Sequence, residues 1–252
     1  MISERLRAQL AGWQGVRDTV GRSGSAVYAY TRGEEARYLK LAPEGSEVTR
    51  EIQMLRYLAG RLPVPEVLYE EHADGQVALL MSAAPGRMAC DPVSLAQPVK
   101  TARALAQGIL AVSRVPVEPD CPPPWAADKL EAGRAQIEEG RVDMDDWDAD
   151  SPFADPWALW RYLRDNRPEE EGVFTHGDFC LPNVFVQGDR CCGLIDWGRA
   201  QPGSVWHDIA LCERSLRQNF GPDAPVAAFF EALGMRPDPE RMAWYRYLDE
   251  LF

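Results

Sequence analysis

The sequence predicts an α+β protein built as two lobes of unequal size. Strand-like segments bounded by turn residues dominate residues 13–82, which predicts a small antiparallel β-sheet with one helix. From residue 95 onwards, apolar residues recur at helical spacing, which predicts a mostly helical second lobe. Between them, the small-residue stretch SAAPG at 82–86 suits a linker. We therefore expect an N-terminal lobe at 1–82 and a C-terminal lobe at 83–252.

Length and charge exclude several classes of function. The chain has 252 residues, of which 46% are hydrophobic, so it can bury two cores. It contains no apolar run of about 18 residues, and a membrane-spanning helix is therefore not expected. The net charge of −12 argues against a nucleic-acid partner. Two explanations of that charge stay open, namely ordinary solubility and an acidic cleft that concentrates cationic ligands.

The N-terminus and the cysteine and histidine usage predict the compartment and the kind of metal. The first residues lack a secretory signal and are predicted as a short amphipathic helix capped by Ser3. Six cysteines at no disulfide or CxxC spacing predict reduced thiols in a cytoplasmic protein. Because the three histidines are dispersed, we expect any metal to be a hard cation on carboxylate and amide oxygens.

A turn rich in small residues, GRSGSA at 21–26, precedes the first predicted hairpin. Ser23, Gly24 and Ser25 would let backbone N–H groups approach phosphate oxygens closely. An ordinary turn between strands fits the same residues. The hairpin itself is predicted from strand-like residues at 27–30 and 36–41 around the turn RGEE at 32–35.

A lysine on the second strand and a glutamate on the following helix form a candidate pair. Lys40 alternates with two leucines, so its side chain faces the opposite side of the sheet from theirs. Glu51 falls on the apolar stripe of a helix predicted at 48–62, where a buried carboxylate needs a cationic partner. Such a pair would aim the ammonium group at nucleotide phosphates. The alternative is that Glu51 lies at the edge of the stripe, in water.

The second predicted hairpin joins 67–70 to 76–81 around the turn ADG at 73–75 and leads into the linker. In this position, backbone groups of the linker, with Ala83 among them, could pair with the edge of an adenine ring. Met81 could pack beside the same base.

The second lobe is predicted to contain a series of helices. They span residues 95–113, 128–139, 155–164, 204–219, 223–233 and 238–250. The third opens with Asp155 as its cap and Pro156 at its first position. Before it lies the acidic run RVDMDDWDAD at 141–150, which fits an ordinary solvated loop or a surface for a polycationic ligand.

Two strand ends carry residues suited to phosphoryl transfer. After the apolar run VFT comes the polar loop HGDFCLPN at 176–183, in which Asp178 precedes Asn183 by five residues. A second apolar run ends at Asp196. An acid can accept the proton of a hydroxyl nucleophile, while an amide and a second acid hold Mg²⁺ against nucleotide phosphates. Asp208, in the first turn of the next helix, could cap that helix or hydrogen-bond this loop, and we expect its role to be structural.

Taken together, these motifs resemble the aminoglycoside 3′-phosphotransferases, the kanamycin kinases. The resemblance is carried by HGDFCLPNVFV at 176–186, LIDWGR at 194–199, DIALCERSLR at 208–217 and LDELF at 248–252, with PVPEVLYEE and LLMSAAPG in the first lobe. It extends over essentially the whole chain. It implies a protein-kinase-like two-lobed fold, with ATP and Mg²⁺ as cofactors and transfer of the ATP γ-phosphoryl group to the 3′-hydroxyl of an aminoglycoside, which confers antibiotic resistance.

The resemblance also implies a role for individual residues. Asp178 corresponds to the catalytic acid, Asn183 and Asp196 to the metal ligands, and Lys40 and Glu51 to the phosphate-orienting pair. The antibiotic-binding positions of the family fall on Asp145, Asp146, Asp148, Arg199, Arg214, Asp249, Glu250 and Phe252.

Departures from the family pattern leave some questions open. After Arg199 this chain runs AQPGS, and Gln218 and Asn219 occupy positions that are often acidic in relatives, which bears on the range of drugs accepted. The other functions considered are a kinase for another small amine or alcohol and a nucleotide-binding pseudoenzyme. Neither the sequence nor the resemblance decides between a monomer and a dimer.

Overall fold

The computed structural model describes residues 3–18, 25–147 and 151–252. Its first part contains α1 Glu4–Gln9, β1 Gln14–Arg17, β2 Ala26–Arg32, β3 Glu35–Pro43, α2 Glu47–Leu58, β4 Val67–Ala73 and β5 Gln76–Ser82. The strands form one five-stranded antiparallel sheet in the order β1-β2-β3-β5-β4. Helix α1 begins where the sequence predicts, because the Ser3 hydroxyl accepts a hydrogen bond from the Leu6 amide.

Turn chemistry explains the second hairpin, and it also corrects the predicted length of α2. Asp74 and Gly75 both adopt positive φ, at 53° and 70°, which is the geometry of a two-residue hairpin turn. The helix predicted at 48–62 instead ends at Leu58, because Ala59 leaves helical geometry and Gly60 takes φ 75°. The last leucine of the apolar stripe therefore lies outside the helix.

The second part consists mainly of helices, with short strands that end near one another. Its elements are β6 Arg87–Met88, α3 Pro92–Leu95, α4 Pro98–Val112, α5 Lys129–Glu138, α6 Pro156–Asp165, β7 Val173–Thr175, β8 Val184–Gln187, β9 Arg190–Leu194, β10 Gln201–Gly203, α7 Val205–Phe220, α8 Val226–Leu233 and α9 Pro239–Asp249. Strands β6, β8 and β9 form one small sheet, and β7 pairs with β10.

Capping residues and prolines set the helix boundaries in this part. The side chain of Asp155 accepts a backbone hydrogen bond at the start of α6, as the sequence predicts, and the side chain of Asp128 does the same at the start of α5. The single helix predicted at 95–113 is wrong at its start. Gln97 is not helical and Pro98 opens α4, because a proline lacks the amide hydrogen that the helix interior requires and disfavours a helical residue before it.

The main hydrophobic core lies directly beneath the loop that contains residues 176–183. Phe174, Trp197 and Tyr245 are among its largest fully buried side chains. The His176 ring packs 4.4 Å from the Trp197 ring, centroid to centroid, so the loop rests on the core. Within the described residues, no helix is long and apolar enough to cross a membrane. The α+β architecture predicted from the sequence, a small antiparallel sheet followed by a mostly helical part, is confirmed.

Candidate active site

The loop after β7 is held in place by a buried carboxylate from α7. The amides of His176 and Gly177 donate to Asp208 Oδ2 and Oδ1 over 2.8 and 2.9 Å. Of the two structural roles considered for Asp208, the hydrogen bond to this loop is therefore the one observed. Gly177 has φ 85°, and a Cβ there would lie 2.3 Å from the Arg199 carbonyl oxygen, so only glycine fits.

His176 supports the loop in a defined tautomer. Its Nε2 lies 2.9 Å from the Ile195 carbonyl oxygen, which can only accept, so Nε2 carries the hydrogen. Its Nδ1 then accepts from the Asp178 amide over 3.3 Å. Burial lowers the pKa of this imidazole, which keeps the ring neutral and the hydrogen bonds in place.

Asp178 projects from this loop beside Asn183. The Asn183 amide nitrogen donates to Asp178 Oδ2 over 2.9 Å and to the Asp178 carbonyl oxygen over 3.0 Å. Burial raises the pKa of the Asp178 carboxyl to about 6, and the negative charges of Asp249 and Asp196 act in the same direction. Arg199 and the Asn183 hydrogen bond lower it. A carboxylate in such surroundings can act as a proton acceptor near neutral pH.

Asn183 lies directly before β8 and Asp196 lies two residues after β9, and the pairing of these two strands places both residues near Asp178. The Ile195 amide donates to the Asn183 carbonyl oxygen over 3.0 Å, so the two segments remain paired up to the site. Asp196 adopts φ 66°, which is uncommon for a residue other than glycine and is typical of functional loops. The structure therefore brings together the acid, the amide and the second acid that the sequence singled out.

The donor set around Asn183 and Asp196 fits a hard cation. Because the Asn183 amide nitrogen faces Asp178, the amide oxygen is the atom that can ligate. With the Asp196 carboxylate, it offers the oxygen ligands that Mg²⁺ prefers. In the described part of the chain, no three His, Cys, Asp or Glu side chains cluster as a metal site. A Mg²⁺ ion here would thus take most of its ligands from water and phosphate.

The predicted pair between β3 and α2 is confirmed. Lys40 Nζ lies 2.9 and 2.7 Å from the two Glu51 carboxylate oxygens, and both side chains are buried. The same Nζ lies 3.3 Å from Asp196 Oδ1, so one ammonium group joins the two lobes. Burial acts to lower the pKa of Lys40, but Glu51 and Asp196 outweigh it and raise that pKa above its ordinary value. Lys40 is therefore charged at any physiological pH.

The remaining nucleotide-site candidates occupy the sheet and the linker. Ser23 and Gly24 lie outside the described residues, and Ser25 is in the bend before β2. Met81 is buried near the end of β5, opposite Tyr38 of β3, and Ala83 follows in the linker. Met81 is thus on the strand next to the one that carries Lys40.

A cysteine missed in the sequence fastens the linker. The Cys192 thiol donates to the Pro85 carbonyl oxygen over 3.1 Å. Gly86 takes φ 93°, and a Cβ at that position would lie 2.3 Å from the Cys192 sulfur. No motif distinguishes this cysteine from the other five, so the sequence offered no signal for it.

The acceptor-site candidates near the C-terminus form a cluster of alternating charge. Asp249 pairs with Arg214, and its Oδ1 also lies 3.9 Å from Arg199 Nη1. Arg199 in turn donates to Glu47 at the start of α2, over 3.0 Å from Nε to Oε1. Glu47 was missed in the sequence because a glutamate in the first turn of a helix is ordinary.

The last residues contact the acidic run and the proline-rich segment. The Glu250 carbonyl oxygen accepts from Trp147 Nε1 over 3.0 Å, and Phe252 meets Trp125 edge to face at 5.1 Å. Asp145 is exposed, in a single 3₁₀ turn at Met144–Asp146. The Asp146 side chain and Asp148 lie outside what the structure describes. Of the predicted acceptor residues, Arg199, Arg214 and Asp249 are brought together, and the tail lies against Trp147.

The fold and the site define a phosphotransferase of the protein-kinase-like class, and comparison with known proteins specifies it further. The profile of the phosphotransferase enzyme family matches residues 16–245. An aminoglycoside 3′-phosphotransferase from Enterococcus faecalis is 36% identical over 100% of this chain and 98% of its own length. One from Streptomyces fradiae is 34% identical, with 95% of each chain covered. This chain belongs to the aminoglycoside 3′-phosphotransferase family.

Solved structures agree with this assignment. The crystal structure of an aminoglycoside-3′-phosphotransferase of type VIII superimposes with a TM-score of 0.86 at 30% identity, covering 98% of this chain and 97% of the other. The aminoglycoside phosphotransferase APH(3″)-Id from Streptomyces rimosus, in complex with ADP and streptomycin, gives 0.78 at 25% identity and covers 98% and 95%.

Proposed function

We propose that this protein transfers the γ-phosphoryl group of ATP to the 3′-hydroxyl of kanamycin- and neomycin-type aminoglycosides and so confers resistance to them. The observation that carries the proposal is the position of the Asp178 carboxylate. It lies between a donor-side cluster, Lys40, Glu51 and Asp196, and an acceptor-side cluster of Arg199, Arg214 and Asp249. The relatives that match this chain over its full length are aminoglycoside 3′-phosphotransferases, which supports the choice of hydroxyl.

On the donor side, we assign nucleotide binding to the lobe at 1–82, with the linker at 82–86 as its boundary and the lobe at 83–252 as the catalytic part. Ser23, Gly24 and Ser25 would contact phosphates through their backbone, while Met81 and Ala83 would contact the base. Lys40, held by Glu51, would neutralise phosphate charge. An ATP-dependent reaction of this kind belongs in the cytoplasm.

We assign Asn183 and Asp196 to a Mg²⁺ ion, which when bound would neutralise phosphate charge during transfer. The support is chemical. The Asn183 nitrogen is committed to Asp178, so its oxygen is left for the cation, and Lys40 balances only part of the Asp196 charge.

Asp178 is assigned as the group that orients the acceptor hydroxyl and takes its proton. With a pKa of about 6, it is largely ionised at pH 7.5 and more basic than an ordinary aspartate. A loose transition state requires little base strength, so most of the contribution comes from orientation of the hydroxyl. The hydrogen bond from Asn183 fixes one carboxylate oxygen and leaves the other for the substrate.

On the acceptor side, carboxylates would bind the ammonium groups of the aminoglycoside. The acids assigned are Asp145, Asp146, Asp148, Asp249 and Glu250, and Arg199, Arg214 and Phe252 would line the same site. The contact of Trp147 with Glu250 supports a shared surface, because it ties the acidic run to the tail. A net charge of −12 would steer a polycation towards such a surface.

One experiment tests this function against its alternatives. The purified protein is incubated with Mg-ATP and a panel of aminoglycosides, and the products are identified by NMR. We expect phosphorylation at the 3′-hydroxyl, and Asp178→Ala is expected to keep ATP binding but lose turnover by several orders of magnitude. Turnover of no aminoglycoside would refute the proposal. Formation of ADP together with a phosphorylated product of another amine or alcohol would then indicate a different kinase, and ATP binding alone a pseudoenzyme.

A further inference from the structure

Arg199 lies between two carboxylates that belong to different parts of the protein. Its Nε donates to Glu47 Oε1 over 3.0 Å, at the start of α2. Its Nη1 is 3.9 Å from Asp249 Oδ1, at the end of α9. The first contact is a hydrogen-bonded ion pair and the second is at the limit of an ion pair, so Arg199 is committed mainly to Glu47.

The backbone around Arg199 is fixed, so only its side chain can change partner. A Cβ on Gly198 would lie 2.7 Å from the Glu47 Cβ, which shows how closely the loop packs on the first turn of α2. Arg50, one turn further along the helix, donates to the Ala200 carbonyl oxygen. The loop is thus fastened to α2 on both sides of Arg199.

Asp249 already has one cationic partner. The position of Arg199 therefore decides how much of the negative charge of Asp249 remains uncompensated. Arg214 forms an ion pair with Asp249, whose side chain is only 16% exposed. A second guanidinium group at hydrogen-bond distance would leave little negative charge for an incoming ammonium group. Burial lowers the pKa of Arg199, but Glu47 and Asp249 outweigh it, so this arginine is always charged and must be held by a carboxylate.

We propose that Glu47 is a positioning residue for the acceptor site, which holds the Arg199 guanidinium group away from Asp249 and so preserves the Asp249 charge for an ammonium group of the substrate. The inference rests on the proposed function for the nature of the substrate. Glu47 itself is 57% exposed and acts only through Arg199. Without Glu47, Arg199 would close onto Asp249 and compete with the substrate.

The test compares Glu47→Ala and the nearly isosteric Glu47→Gln with the wild-type protein. A partly exposed ion pair predicts about a two- to fivefold rise in the KM for kanamycin, larger for Ala than for Gln, because Gln can still accept a hydrogen bond. The KM for ATP and kcat should change less than twofold. The rise in the kanamycin KM should be smaller at 0.5 M salt, since salt screens the competition between Arg199 and the ammonium group for Asp249. Glu44→Gln is the matched control, because Glu44 is 56% exposed and pairs with His72 instead.

A double-mutant cycle separates positioning from a structural role. In an Arg199→Ala background, Glu47→Ala should have no further effect on the kanamycin KM, and the same holds in Asp249→Asn. Additive effects, or an unchanged or lower kanamycin KM in folded Glu47→Ala, would overturn the inference while the proposed function stands. If the wild-type protein phosphorylates no aminoglycoside, the crystal structure of Glu47→Ala still tests whether Glu47 holds Arg199 away from Asp249. The distance from Arg199 to Asp249 must fall to hydrogen-bond length, and a distance that stays near 3.9 Å overturns the proposal.

Discussion

Replacing Asp178 with asparagine should abolish turnover and stabilise the protein at the same time. Both expectations have one cause. The negative charge of Asp178, which is assigned to proton transfer, is disfavoured by burial and by neighbouring acids in the folded protein. Burial raises the pKa of Asp178 from its ordinary value of 3.8 to about 6, with the negative charges of Asp249 and Asp196 contributing. Asparagine has the same shape and no charge. It can present its oxygen to Asn183 and keep the 2.9 Å hydrogen bond.

The size and sign of the stability effect follow from linkage. In the unfolded chain Asp178 ionises near 3.8 and in the folded protein near 6, so the folded state holds this proton more tightly. The difference between these two pKa values corresponds to about 3 kcal/mol of unfolding free energy, which the wild-type protein loses as the pH rises from about 4 to about 6. Solvent screening at this partly exposed group reduces the effect. We expect a gain of about 1–3 kcal/mol for Asp178→Asn at pH 8 and none at pH 4.

The assay measures both quantities on the same preparations. Urea unfolding followed by circular dichroism, in metal-free buffer at pH 4 and pH 8, gives the free energy of unfolding. A coupled assay for ADP release, with kanamycin as acceptor, gives kcat at pH 8. Asn183→Asp is a useful counterpart, because it adds a negative charge beside Asp178 and should lower stability at pH 8.

Two results would refute this reasoning. If Asp178→Asn is no more stable than the wild-type protein at pH 8, the carboxylate is not disfavoured in the folded state. If the gain is as large at pH 4 as at pH 8, its origin is packing and not charge. Retention of kcat within about tenfold would contradict the assigned role of Asp178 in the reaction, whatever the stability.

Four further predictions follow from the same geometry. Glu51→Gln leaves Lys40 without its buried partner, so the ATP KM should rise and the free energy of unfolding fall by about 3 kcal/mol, measured by steady-state kinetics and urea unfolding. Gly177→Ala forces a Cβ against a carbonyl oxygen at positive φ, and unfolding measurements should show a loss of about 2 kcal/mol or more. Deleting the last three residues, 250–252, should raise the kanamycin KM more than the ATP KM, and equal effects would contradict the acceptor role of the tail. The pH profile of kcat/KM should rise through about pH 6 as Asp178 ionises, and a flat profile from pH 5 to 8 would contradict the assigned base.

Local features of the site could be predicted because short-range chemistry determines them. The alternation of strand β3 gives the direction of Lys40, and the helical stripe of α2 gives that of Glu51, so their pairing needs only the two elements to pack. The hairpin turn at Asp74 could be predicted because it depends only on residues that readily adopt positive φ, and these residues lie in the turn itself. The length of α2 was predicted poorly, since its apolar pattern continues through Leu62 after the helix itself has ended.

Long-range charge pairs could not be predicted, because their partners are separated by much of the chain and carry no common pattern. Glu47 and Arg199 are 152 residues apart. Glu47 is an ordinary exposed residue when considered alone, and the resemblance assigns Arg199 to antibiotic binding without naming Glu47 as its partner. The same holds for Arg214 and Asp249, for which the sequence suggested a common role in binding a drug but not their contact with each other. The packing of α2, α7 and α9 around one site determines which charged side chains form pairs.

The charges around Asp178 also couple binding of the acceptor to ionisation of the Asp178 carboxyl. Asp249 raises the pKa of Asp178, whereas Arg199 lowers it. An ammonium group bound at Asp249 adds positive charge at the place where the repulsion originates, so it must lower the pKa of Asp178. The base is therefore more completely ionised with the acceptor bound than without it, and by linkage an ionised Asp178 binds that acceptor more tightly. In the proposed acceptor site, the same acids that destabilise the free protein would thus favour a polycation, because a neutral alcohol gains nothing from them.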